Sequence, residues 1–146
     1  MSVTDDEVAA LRAHLSGNLA LQEALYARLT SPAARSRYVA LVVAAFFDAV
    51  NRRFTKDDGV ADVISFVADV RSRSGRLAES IDPQAAEQLI RSALTEDDFP
   101  VLDTDTRGRL LIVLLVALVS DEQFNGDELD AFLEAGREIA DGWRGQ

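Results

Sequence analysis

The chain contains no cysteine and only one histidine, His14, in 146 residues. Without cysteine there is no disulfide, no thiol nucleophile, and no thiolate site for zinc or an iron–sulfur cluster. A single histidine excludes every site that needs two. It also excludes the Glu-x-x-His pairs of di-iron bundles, because Leu11 stands three residues before His14. A Ser-His-Asp triad would have to use His14, whose helical neighbours Ala10, Leu11, Gly17 and Asn18 supply neither acid nor nucleophile. His14 therefore reads as a structural or surface residue. Glycine is sparse and scattered, at 17, 59, 75, 108, 126, 136, 142 and 145. No dinucleotide fingerprint, Walker loop or nucleophile elbow can be drawn through those positions.

Basic charge is also short. Lys and Arg total 15 against 25 Asp and Glu, a net charge of -10, and Lys56 is the only lysine. That balance argues against binding a nucleic-acid backbone or an anionic membrane. The longest apolar run, Leu110 to Val119, has ten residues, whereas a membrane span needs about 20. The N-terminus MSVTDDEVAALRAHL has neither the basic nor the apolar region of a signal peptide. The expected setting is cytoplasmic.

What is present is a 48% hydrophobic chain, long enough to bury roughly 70% of its unfolded surface as one domain, residues 1–146. Apolar residues recur at helical spacing throughout. Thr4 with Asp5, Asp6 and Glu7 forms a capping box ahead of Val8, Leu11 and Leu15. Ser16-Gly17-Asn18 breaks that helix before Leu19, Leu21, Leu25 and Leu29. Ser31-Pro32 opens a long helix to about Phe54, with Val39, Val42, Val43, Phe46, Phe47, Val50 and Phe54 as its stripe. Arg37, Asp48, Asn51 and Arg52 lie opposite that stripe. After the turn 55–59, Val60, Val63, Ile64, Val67 and Val70 keep the 3.6-residue period and read as helix rather than strand. Gly75 is the expected C-cap glycine. Asp82-Pro83 starts another helix, and TEDDFPVLD (95–103) reads as an acidic loop tucked down by Phe99 and Val101. The next helix covers about 104–120, with Asp103 or Thr104 as its N-cap. It is apolar nearly all round, so it belongs at the bundle centre or in a subunit interface. Asn125 and Glu128 form the cap of the last helix, with Phe124 and Leu129 as a hydrophobic staple and Leu129, Phe132, Leu133, Gly136, Ile139 and Trp143 as its core face. The expected fold is all-α, a compact single-domain bundle of six or seven helices around a buried central helix. Residues 40–70 and 110–139 echo one another as helix, Asp/Asn-Gly turn, helix, which predicts two pseudo-repeated helical hairpins.

Charge is uneven along the chain: net -2 over residues 1–30, +3 over 31–76, and -11 over 77–146. This asymmetry predicts faces of opposite sign that serve solubility or docking. Arg52, Arg53 and Lys56 precede the 60–70 helix and Arg71, Arg73 and Arg76 follow it, a grouping that would suit phosphate or simply complement helix dipoles. An EF-hand frame starting at Asp121 finds Gln123, Asn125 and Gly126 in place, but its twelfth position is Phe132, so the bidentate ligand is missing. A second acidic cluster, Glu96, Asp97, Asp98, Asp103 and Asp105, has the oxygen chemistry for a hard cation but equally that of a solvated loop.

The segments LLIVLLVALVSDEQFNGDELDAFLEAGREI and FFDAVNRRFTKDDGVADVISFV, about half the chain, resemble the tellurite-resistance TerB-like helical family. The resemblance implies a helical, non-catalytic domain of stress-response or signalling assemblies. It implies metal binding by acidic residues of the turns and helix starts. Those positions are Asp57, Asp58, Asp62, Asp127, Glu128 and Asp130, with Asn125 where the pattern has Asp.

The expected function is a non-enzymatic protein-interaction module that engages a protein partner or self-associates as a homodimer. One alternative is a metal-responsive domain holding a divalent cation through Asp57, Asp58, Asp127 and Glu128. Another is an enzyme using paired carboxylates, for which the sequence holds no paired motif.

Overall fold

Local capping chemistry sets most helix starts. The structure, a computed structural model, describes residues 2–55, 57–95 and 102–144. The expectations placed on Lys56, Glu96, Asp97, Asp98, Phe99 and Val101 lie outside them. Thr4 and Glu7 bond reciprocally at the start of α1 (Asp5–Leu15). The chain then turns at Gly17, whose φ of 80° is the left-handed region that glycine enters at no steric cost. Asn18 Oδ1 accepts the Leu21 N–H and opens α2 (Leu19–Ala27). The Ser31 hydroxyl oxygen accepts the Ala34 N–H, and Pro32 occupies the first position of α3 (Pro32–Arg53).

The β-branched 60–70 segment is helical, as α4 (Val60–Ser72). Gly75 is not its C-cap. Arg73 closes α4 in right-handed geometry, and Ser74 caps a further short helix, α5 (Gly75–Ser80), through the Leu77 N–H. The chain continues as α6 (Pro83–Thr95), α7 (Thr104–Glu122) and α8 (Gly126–Arg144). Asp103 caps α7, accepting the Thr106 N–H at 2.8 Å. The Asn125–Glu128 cap of α8 forms in both directions, at 2.8 and 3.0 Å. Phe124 meets Phe132 at 5.4 Å between ring centroids. Among the described residues there are thus eight helices and no strand, where the sequence predicts six or seven helices. None of these helices is long and apolar enough to cross a membrane.

The centre of the bundle is α3 rather than the 104–120 helix. It packs against α1, α6, α7 and α8. Its buried arc is wider than the predicted stripe and rich in small residues, with Ala44, Ala45 and Ala49 beside Leu41, Phe46 and Val50. Val39, predicted for the core, is 58% exposed. Small side chains let a second backbone approach closely: Gly136 of α8 sits where an added Cβ would lie 3.5 Å from Ala45. The predicted hairpins do not close on themselves. Neither α3 with α4 nor α7 with α8 packs side by side; α3 is clasped by α7 and α8 instead, and α4 rests on α5 and α6.

Helix α1 is bound to this centre by a buried charge. Glu7 is 1% exposed. Its carboxylate accepts the Arg37 Nε–H at 2.6 Å, the Thr4 N–H at 3.2 Å, and the Thr4 hydroxyl. Burial alone pushes the Glu7 carboxyl up, but the bonds from Thr4 and Arg37 outweigh it and hold it below the ordinary glutamate value. Arg37, expected on a solvated face, is therefore an internal partner. On the other side α1 lies antiparallel to α8, through Val3 N–H to Asp141, Arg137 to Asp5, and Arg12 to Asp130.

Two consequences are measurable by chemical denaturation. Gly136→Ala should leave stability unchanged or slightly raised, because the methyl meets Ala45 at ordinary contact distance. Gly136→Leu should cost about 1–3 kcal/mol by overpacking. Glu7→Ala should cost about 3 kcal/mol, since it leaves Arg37 with a broken buried pair. Because the folded Glu7 carboxyl titrates below its ordinary value of 4.5, its contribution is present above that pH and fades as pH falls through the lower folded value. Glu7→Ala should flatten that acid limb.

Candidate functional site

Helix α7 is buried on one side only. Leu110, Leu111, Leu114, Leu115, Ala117, Leu118 and Val119 face the core. Ile112, Val113 and Val116 are half-buried, flanked by exposed Arg109 and Ser120 on the same stripe. This stripe forms the floor of a trough made of three adjoining concavities of about 560, 410 and 330 Å³. The first two share His14, Gly17, Val116 and Ser120, and the last two share Val113. One wall is the α1–α2 turn, with His14, Gly17 and the 59% exposed Leu19. The opposite wall is the end of α4 and α5, with Val70, Arg73 and Leu77. Beyond Val113 the trough continues past Ile81 and Asp82 to Arg109 and Thr106. Its other end reaches Gln123, Asn125 and Gly126 at the α7–α8 turn. Lining positions run from Thr106 to Gln123, so at 1.5 Å per residue the trough is about 25 Å long.

The walls are pinned by charge. Arg73 bonds Asp69 at 2.8 Å on its own helix and Asp121 at 3.0 Å on α7, so the end of α4 is held against α7. Arg12 bonds Asp130 at 2.6 Å. At the α7–α8 turn Gln123 takes a left-handed conformation, φ 54°, and closes α7 without a glycine.

His14 is the one titratable side chain common to the first two concavities that is not a guanidinium. Its Nδ1 is buried and has no hydrogen-bond partner. Protonation would place an N–H on that nitrogen with no acceptor, because the imidazolium donates from both ring nitrogens. Burial holds the His14 pKa below its ordinary value. Arg12 and Arg73 line the same walls and offer no counter-charge.

The acidic residues named from the sequence lie elsewhere. Asp57 is exposed, and Asp58 accepts the Thr55 N–H at 2.7 Å within the α3–α4 turn. Asp58 shares a cleft beside α4 with Asp62 and Asp69; Asp62 bonds the Gly59 N–H and Asp69 bonds Arg73. Asp127 and Glu128 are exposed at the start of α8, where Glu128 caps Asn125, and Asp130 pairs with Arg12. Among the described residues no three His, Cys, Asp or Glu side chains converge to hold a metal ion.

Several members of the basic grouping contact the fold, while Arg52, Arg53 and Arg76 stay exposed. Arg52 bonds Asp48 and lies over Phe124 and Phe132. Arg53 lies over Phe54 and Phe66, and Arg71 donates to the Ala78 carbonyl. Trp143, predicted for the core, is 40% exposed and stacks edge-on against Phe47 at 5.5 Å. No family model, curated protein or solved structure matches the chain.

The trough residues Leu19, Val113 and Val116 were not singled out by sequence reasoning. The available signal was the all-round apolar character of 110–119, which one buried face does not use up. His14 gave no signal beyond its uniqueness, since its walls come from three separate segments.

The His14 environment fixes a sign for pH dependence. The unfolded chain takes a proton at about 6.5, while the folded chain takes it only at lower pH. The unfolded state therefore binds more protons below 6.5, and stability should fall as pH drops from 7 toward 5. Urea midpoints measured across that interval should show the decline, and His14→Gln should remove it while leaving the Glu7 limb at lower pH.

Proposed function

We propose that this chain is a non-enzymatic helical interaction module, and that the open face of α7 is where a protein partner docks. The observation that carries this reading is the trough itself. It is about as long as a helix of four to five turns, and the middle of its floor is apolar at helical spacing, Ile112, Val113 and Val116. Side chains at that spacing receive the ridge of a second helix. An enzyme reading draws less support, because the trough gathers no pair of carboxylates and His14 has no orienting partner. A cation held by Asp57, Asp58, Asp127 and Glu128 is not part of this reading: Asp58 and Glu128 are committed to capping their own turns. The TerB-like resemblance of the two helix–turn–helix segments agrees with a place in a stress or signalling assembly.

Site-specific photocrosslinking in cells tests the docking face. A benzophenone side chain at position 19 or 113 should yield a discrete crosslinked partner, and the same group at Glu138 on the outer side of α8 should not. Leu19→Asp should abolish the crosslink formed from position 113. As an exposed substitution it should change stability by no more than about 0.5 kcal/mol. Equal crosslinking from positions 113 and 138, or none from the trough, would sink this reading.

A further inference from the structure

We propose that the trough selects a cationic amphipathic helix. This rests on the docking reading above and adds the chemistry of the occupant.

The apolar middle carries no charge of its own to direct a partner. The guanidinium groups beside it are already neutralised: Arg12 by Asp130, and Arg73 by both Asp69 and Asp121. At the far end Asp82 and Arg109 line the trough, and exposed Glu79, Asp103 and Asp105 stand beside the lining residues Ser80, Leu102 and Thr106. The end at the α7–α8 turn is acidic as well. Glu122, Asp127 and Glu128 are exposed there, directly adjacent in sequence to the lining residues Gln123, Gly126 and Leu129. Helix α7 has no basic residue in its own last turn to offset the partial negative charge of its C-terminus. The N-terminal partial charge of α8 is about half a unit and is exceeded by Asp127 and Glu128. The trough is therefore apolar along the middle of its floor and acidic at both ends, on a molecule of net charge -10. An acidic helix would meet repulsion both at long range and at the ends. A cationic helix would be steered in and held.

Three synthetic 18-residue helices test this. All carry the same leucine stripe, and their other faces bear Lys and Arg, Gln and Ser, or Glu. Binding to the full chain is followed by fluorescence anisotropy, and the contact surface by amide chemical-shift mapping. The cationic helix should bind at least about tenfold more tightly than the neutral one and lose affinity severalfold between 50 and 500 mM salt, where screening shortens the range of charge. Its largest shifts should fall around Leu19, Val113 and Val116. The double variant Glu122→Lys/Asp127→Lys alters only exposed side chains and should weaken the cationic helix while sparing the neutral one. If the neutral or acidic helix binds the trough equally well, the charge assignment is overturned and the docking reading stands. If no helix shifts the trough residues, both are overturned. Cationic binding that maps away from the trough overturns the assignment, as does a concentration-dependent trough shift without peptide, which would make a second copy the occupant.

Discussion

Close approach of backbones at α3 organises this molecule. A helix whose buried arc is lined by Ala44, Ala45 and Ala49 can accept neighbours at short distance, and Gly136 of α8 lies against Ala45. The same helix is clasped by α7 and touched by α1 and α6. Larger side chains on α3 would push α7 and α8 outward and loosen the shared core that Leu114, Leu118, Phe132 and Leu133 fill. Once α3 takes the centre, α7 can be covered on one side only. The trough follows from that geometry: α7 is apolar on nearly every side, and the elements on its outer side are a turn, a helix end and a short helix, which wall its stripe without roofing it.

Charge does complementary work at the seams. The Glu7–Arg37–Thr4 cluster joins α1 to α3 where water is excluded, so it is fully bonded. Arg73 ties α4 to α7, and Arg12 and Arg137 tie α1 to α8. Of these arginines, Arg37 and Arg73 come from the mildly basic middle segment and are engaged in holding helices together. The carboxylates outnumber the arginines, and many face solvent, Glu122, Asp127 and Glu128 at the α7–α8 turn among them.

Much of the local structure was legible along the chain. Thr4, Ser31, Asp103 and the Asn125–Glu128 pair start helices because an N-cap needs only the four or so residues that follow it. Gly75 was misread because a glycine after a helix is consistent with a C-cap, whereas Ser74 one residue earlier caps a new helix. Val39 and Trp143 were misplaced for a related reason. Their spacing puts them on an apolar face, but a face is covered only where another element arrives. Helix pairing was also misjudged, since a short turn guarantees adjacency of two helix ends and not of their lengths.

The sequence by itself determined the helical class, most helix starts and the chemistries that are excluded, because those depend on short-range hydrogen bonding, period and composition. It also contained, in residues 110–119, more apolar surface than one face needs. Only the tertiary structure decided that α3 is the centre, that Arg37 is internal, and that His14, Leu19, Leu77 and Val113 share one trough. Those facts depend on which helix crosses which, and at what distance, and that is set by the fit of side-chain volumes from segments far apart in the chain.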